Sequence, residues 1–401
     1  MLLEALSLQM GYNATLVTIG ACFLGVAAGV TGTFLYLRKR ALVSDAISHA
    51  TLPGVGAAFI LMVMLGGDGR NLPVLLFGSA VSAGLGLLCV NWLTRQTRLA
   101  EDAAIGSVLS VFFGFGIVLL TIIQTMSAGR AAGLEGFLLG STAGMLWNDA
   151  IVIVLSGAVT LALVLLLRRP MGLVAFDPEF AASSGVNIER VDLAIMGLVM
   201  AVTVVGLKIV GLILIVAMLI IPPVTARFWT DRTDRVALIA GFCGGAAAWI
   251  GAAISATAPA LPTGPIIVLV SFAMFAVSMF LAPDRGVLAA FLRHQSFQKR
   301  VHLRQGLLAL AQEQPIYETY TMRLLHRAGL ALPDGVPTEA GKARAAKALR
   351  DEKRWQLVRA DQSLESAAAL YDGLREIETV LTTDQISEID AQIGGPRGLS
   401  E

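Results

Sequence analysis

The chain has 401 residues, a net charge of +1, 56% hydrophobic residues and only 15% charged ones. A soluble domain carries about 25% charged residues, so the composition excludes a purely soluble protein and points to a membrane one. The two kinds of residue are segregated: apolar stretches follow one another through 14–283, while three of the four His and 15 of the 30 Lys and Arg fall in 286–401. A membrane domain over 1–285 and a soluble domain over 286–401 are expected.

In chain order, the first fifteen residues lack the basic start of a secretory signal peptide, so the first apolar segment is expected to stay as a span. A bilayer core needs roughly 17 to 25 apolar residues per helix. On that basis spans are expected at 14–37, 42–66, 72–93, 103–126, 149–167, 192–206, 209–226, 235–257 and 264–282. The sixth and seventh are short, and Gly206, Lys208 and Gly211 fit either a tight turn or a break inside one long tilted helix. The fold class is thus an all-α polytopic membrane protein of eight or nine crossings. LEGFLLGS at 134–141 is too short to cross and fits a helix in or near the interface. Cys22, Cys89 and Cys243 sit singly in apolar runs and read as packing residues. Runs of small residues such as GACFLGVAAGVTG (20–32) let spans approach closely where lipid supplies no hydrophobic drive.

Orientation follows the cations. One set of loops holds Arg38, Lys39, Arg40, Arg95, Arg98, Arg168, Arg169, Arg190, Arg227, Arg232, Arg235 and Arg285; the alternate set holds only Arg70, Arg130 and Lys208. The first set is expected to be cytoplasmic, with the N-terminus outside and the soluble domain in the cytoplasm.

RKRALVSDAISHATLPGV (38–55) places Asp45 and His49 four residues apart, on one face of a helix. An ionisable group in a span normally faces a partner or a polar cavity. The pair fits an ion pair of Asp45 with a cation such as Arg40, with His49 a hydrogen-bonding packer. It equally fits a hard oxygen and a borderline nitrogen for divalent manganese, iron or zinc. Two ligands are an incomplete set; Ser44 and Ser48 are near enough to add oxygens or to pack. Weak, partial coordination suits a conduit that an ion must also leave.

The longest loop of the membrane domain, RRPMGLVAFDPEFAASSGVNIER (168–190), has Asp177 before Pro178, a good helix start, and Gly185 as its stop. The short helix between them carries Glu179 and Phe180. It either closes a loop or inserts Phe176 and Phe180 into a partner. Pro222 and Pro223 free backbone carbonyls late in the seventh span and fit a hinge or a fixed kink. A GxxxxGK[ST] phosphate loop is absent from the sequence, so ATP work must come from elsewhere.

RKRALVSDAISHATLPGV closely resembles the signature of the permease subunits of ATP-binding-cassette importers for manganese, iron and zinc. The likeness covers nearly all of 14–283 and recurs in LEGFLLGSTAGMLWNDA (134–150), AFDPEFAASSGVN (175–187) and VGLILIVAMLIIPPVTARF (210–228). The resemblance implies a bacterial inner-membrane permease, paired with itself or a sister permease and fed by an extracytoplasmic binding protein. It implies that Asp45 and His49 line the metal path. It also implies that Asp177, Pro178, Glu179, Phe180 and Gly185 form the coupling helix that docks on a separate ATPase subunit. No permanently bound cofactor is expected; the metal is cargo. Without that resemblance, a gradient-driven transporter using Asp45 as a proton site, or a membrane-bound regulator of transcription, would also fit.

The soluble domain shows a basic helix (291–312), then a helix, an extended piece near GVPTEAG and another helix. Residues 318–382 resemble the iron-dependent winged-helix metalloregulators, so a winged-helix-like, mostly helical domain is expected. That resemblance puts metal-ligand positions at Glu352, Gln356, Tyr371, Arg375, Glu378 and Thr379, of which only Glu378 keeps the ligand type and Glu352 is a substitute. Fifteen Lys and Arg against fifteen Asp and Glu over 286–401 argue against nucleic-acid binding, which needs a basic excess. Protein contacts are the expected role, and the regulator likeness tilts the expected cargo toward manganese or iron, with zinc the alternative.

Overall fold

The computed structural model describes residues 2–9, 11–67, 69, 71–126, 147–258 and 261–394. It is helical and divides into two compact units, Met1–Val287 and Leu288–Glu401. The interfacial helix expected at 134–141 lies outside the described residues.

In the first unit, α1 (Leu2–Leu6) precedes α2 (Tyr12–Leu37), α3 (Ala41–Met64), α4 (Leu72–Gln96) and α5 (Glu101–Thr125). After these come α6 (Trp147–Phe176), α7 (Pro178–Ser183), α8 (Ile188–Arg227), α9 (Thr233–Ser255) and α10 (Thr263–Leu281). Eight of the described helical segments are long and apolar enough to cross a bilayer, and Leu214–Arg227 is a shorter apolar one. The fifth span runs past its expected end: α6 continues through Arg168, Arg169 and Pro170 to Phe176. Cations at a membrane edge keep their heads in water without ending the helix.

The uncertain sixth and seventh spans are one element interrupted at Gly211, whose φ of 76° and ψ of 172° are not helical. Only glycine adopts that backbone readily. The first part, Ile188–Leu207, is long enough to span; the second is Leu214–Arg227. A methyl at Gly206 would fall 2.5 Å from the Ile215 side chain. On an unbroken helix nine residues separate Cα atoms by about 13.5 Å, so the chain folds back at the break.

α2 is the hub. Three of its glycines meet backbone: Gly25 lies against Gly244 and Gly29 against Ala240 of α9, and Gly32 against the Leu219 carbonyl of α8. The buried hydroxyls of Thr33, Ser48, Thr160 and Thr225 donate to carbonyls one turn back, which satisfies them without a partner helix. Ion pairs stitch one end of the bundle: Arg38–Asp192 at 2.7 Å, Arg40–Glu101 at 3.0 Å, Arg95–Glu189 at 2.9 Å, Arg168–Asp234 at 3.8 Å and Arg285–Asp231 at 2.6 Å.

The second unit begins within α11 (Val287–Ala311) and continues with α12 (Thr319–Arg327), α13 (Glu339–Ala360) and α14 (Thr383–Gly394). The extended piece expected near GVPTEAG is a hairpin between α12 and α13, held by Leu332 N donating to Val336 O at 2.8 Å and one bridge between Ala331 and Pro337. Its core centres on Trp355, Val358, Ile377 and Ile389.

Gly32→Val would push a side chain into the Leu219 carbonyl, an overpacking of about 2 kcal/mol. We expect a lower apparent Tm for the detergent-solubilised chain. Gly172→Val, where nothing lies within 4 Å of the new Cβ, should leave the Tm within a degree or so of the parent. A thermal-unfolding fluorescence scan compares the two.

Candidate metal path

The opening turns of α3 present two faces. Ser44, Ser48 and Thr51 point inward, fully buried, and their hydroxyls donate to Ala41 O, Ser44 O and Ser48 O at 2.7, 2.8 and 2.6 Å. Those hydroxyls are committed to the helix backbone, so the two serines pack rather than add ligands. On the neighbouring stripe, Asp45 Oδ1 and His49 Nε2 face each other at 3.4 Å, with side-chain exposures of 40% and 20%. The imidazole meets Phe113 of α5 edge-on, with ring centroids 4.9 Å apart. Its Nδ1 is buried and makes no hydrogen bond among the described residues. The orientation of the ring therefore rests on Phe113 and Asp45.

The alternative partner for Asp45 is otherwise engaged. Arg40 reaches Glu101 and Asp192, at 3.0 and 3.3 Å, and not Asp45. The carboxylate and imidazole thus have each other and open space. Zinc-type bonds of about 2.1 Å to an oxygen and a nitrogen, at a tetrahedral angle, set the two donors about 3.4 Å apart. The observed spacing matches that bite without rearrangement. No cluster of three or more His, Cys, Asp and Glu is found among the described residues, so a cation held at this pair would take at most two such ligands from one chain.

Directly beneath α3 lies a charge cluster that the sequence reading did not find. Asp192, in the first turns of α8, accepts from Arg38 at 2.7 Å and Arg40 at 3.3 Å. Arg38 also donates to Val174 O of α6 at 3.0 Å. Glu189, one turn earlier, holds Arg95 of α4. An acid at the mouth of an apolar span was the available signal, since such an acid needs a cation.

α7 is built as its sequence suggested. The Asp177 side chain accepts from Phe180 N at 2.9 Å, Pro178 occupies the first turn, and Gly185 leaves with φ of 80°. Ala181 is fully buried and anchors the helix, while Phe176 and Phe180 are 58% and 57% exposed and Glu179 is exposed. Pro222 and Pro223 stand inside the second part of α8, which continues helically through them; the break is at Gly211 instead.

Residues 11–282 match the ABC 3 transport family. The chain belongs to that family. It is a membrane permease subunit of an ATP-binding-cassette importer, with ATP hydrolysis on a separate subunit. Among its relatives, the manganese transport system membrane protein MntC of Bacillus subtilis is 39% identical over 318 residues, 79% of this chain and 71% of that one. The zinc transport system membrane protein TroC of Treponema pallidum is 38% identical over 294 residues, 73% of this chain and 96% of that one. The solved PsaBC from Streptococcus pneumoniae in complex with Fab superposes with a TM-score of 0.63 at 28% identity, over 74% of this chain and all of that one.

Asp192→Ala would leave two guanidiniums without their shared carboxylate, one of them, Arg38, only 15% exposed. Removing one partner of a largely buried pair costs about 3 kcal/mol. We expect a marked loss of thermal stability, and a smaller loss in Arg38→Met/Asp192→Met, measured by unfolding of the purified variants.

Proposed function

We propose that this permease carries a divalent metal ion, manganese or zinc, into the cytoplasm, and that Asp45 and His49 are the ligands that pass it along. The observation that carries this reading is the 3.4 Å Asp45–His49 spacing on a half-open face, with no third His, Cys, Asp or Glu grouped with the pair among the described residues. Two ligands hold a cation long enough to strip part of its water yet release it. The donor set suits both metals, and both appear in the names of the relatives. Iron is favoured only by the likeness of the soluble domain to iron-dependent regulators.

The remaining ligands come from water or from a second permease packed beside this one. The cation-rich end faces the cytoplasm, which puts the N-terminus outside and the second unit inside. An extracytoplasmic binding protein delivers the ion at the opposite face. On the cytoplasmic face α7 docks on the ATPase subunit through Asp177, Pro178, Glu179, Phe180 and the Gly185 turn. Its exposed Phe180 and buried Ala181 suit a helix anchored on one side and offered on the other. Pro222 and Pro223 remove two hydrogen bonds inside the second part of α8 and would let that helix flex during transport, while Gly211 sets its static break.

The second unit is read as a protein-contact domain without a metal of its own. The Glu352 carboxylate accepts from Tyr371 and Arg304, both at 2.8 Å, and Glu378 pairs with Lys347 at 3.4 Å. Burial lifts the Glu352 carboxyl, but the Tyr371 hydroxyl and then the Arg304 and Arg359 guanidiniums bring it below the ordinary range. That carboxylate is spent inside the domain.

Uptake of radiolabelled manganese, zinc and iron into cells tests the path. Asp45→Ala and His49→Ala should reach the membrane at parental levels yet import at least fivefold less; parental uptake by either removes its assigned role. For coupling, Phe180→Asp should keep the permease folded but lose the ATPase subunit on co-purification. Retention of that subunit at parental stoichiometry would show that α7 is not the docking element.

A further inference from the structure

α11 is two helices in one. Its second half packs in the core of the second unit, where Leu303, Leu307 and Leu310 lie against Leu325 and Leu330. Its first half does not: Val287, Leu288, Phe291, Leu292 and Phe297 are 48–56% exposed. At 100° per residue, Val287, Leu288, Phe291 and Leu292 form one stripe, and Arg293 and Arg300 stand opposite it. Lys299 falls in line with the stripe two turns beyond Leu292, His294 borders it, and Phe297 lies off it.

Two observations say what covers this stripe. From Arg285 to Gln312 there is no Asp or Glu, while Arg285, Arg293, Lys299, Arg300 and Arg304 are all cationic. The rest of the second unit is correspondingly acid-rich, so the cations are concentrated on this helix. The first turn of α11 is also held close to the end of a span. Only 282–286 separate Leu281 from Val287, and Gly286 N donates to Ala282 O at 2.9 Å, folding that link into a turn. A cationic helix with one apolar stripe, tied within a turn of the bilayer edge, meets anionic headgroups before any other surface.

We propose that the first half of α11, Val287 to Arg300, lies along the anionic lipid surface, with the Val287–Leu292 stripe among the acyl chains, Lys299 at the phosphates where that stripe ends, and Arg300 on the aqueous side of the headgroups. The surface supplies negative charge for Lys299 and Arg300 and apolar cover for a face that the protein leaves bare.

The test uses the full chain with Cys22, Cys89 and Cys243 replaced by Ala, spin-labelled at Phe291→Cys or Ser296→Cys. Each is placed in bilayers of phosphatidylcholine alone or with a quarter phosphatidylglycerol. Power saturation compares collisions with oxygen, which partitions into lipid, and with a water-soluble nickel chelate. In the anionic bilayer the label at 291 should favour oxygen several-fold over the label at 296. Adding Lys299→Glu and Arg300→Glu should move the label at 291 toward the nickel chelate. Equal nickel access at 291 and 296 would mean a helix in water, and exclusion of both reagents at 291 would mean a protein partner. Either result, or lipid exposure unaffected by headgroup charge and charge reversal, overturns the proposal.

Discussion

A charge inside a bilayer is tolerated only where another polar group faces it, and that constraint organises the first unit. It drives the ionisable residues to one end of the bundle, where they bind one another across six or more helices. Arg38, Arg40, Asp192 and Glu101 form the densest knot. Against that background Asp45 and His49 are the exception. They lie further into α3 than the knot, and their nearest polar partner is each other. Apolar residues would pack better at that depth of α3, so packing alone does not account for a 40% exposed carboxylate beside an imidazole.

The same economy of polar groups explains how the helices hold together. With no water to expel between spans, α2 gains its contacts by backbone approach at Gly25, Gly29 and Gly32, and buried hydroxyls such as those of Thr33 and Ser48 are satisfied within their own helices. Such a core is stiff along each helix and has few specific side-chain locks between helices. The ionic knot at the end supplies most of the directional side-chain contacts between helices.

What the sequence made legible was whatever depends on local spacing. The apolar runs marked the spans, Asp177–Pro178 marked the start of α7, and four-residue spacing put Asp45 beside His49. Gly211 was one of three residues offered for a break, and its positive φ fits glycine alone. What stayed hidden depends on partners distant in the chain. Asp192 is 154 residues from Arg38, and Phe113 is on a different helix from His49. The Arg168–Arg169 pair read as the end of a span, because a long cation at the membrane edge gives the same local pattern whether the helix stops or continues. In the soluble domain, positions matched to a ligand set turned out to serve an internal network, since Arg304 comes from a helix outside the matched stretch.

The position of the ionic knot also bears on how work at one face reaches an ion elsewhere. α7 ends at Ser183, and α8 starts at Ile188 with Asp192 in its second turn. Asp192 grips Arg40, the residue immediately before α3, and Asp45 follows five residues later. A push on α7, the proposed docking element, would be transmitted through one short turn and one ion pair to the helix that carries both proposed ligands. Because α3 is stiff, a small rotation at Arg40 turns Asp45 and His49 together. Their mutual spacing is kept while the direction in which they face changes. An ion held by two ligands on one helix is moved by turning that helix, without first pulling its ligands apart.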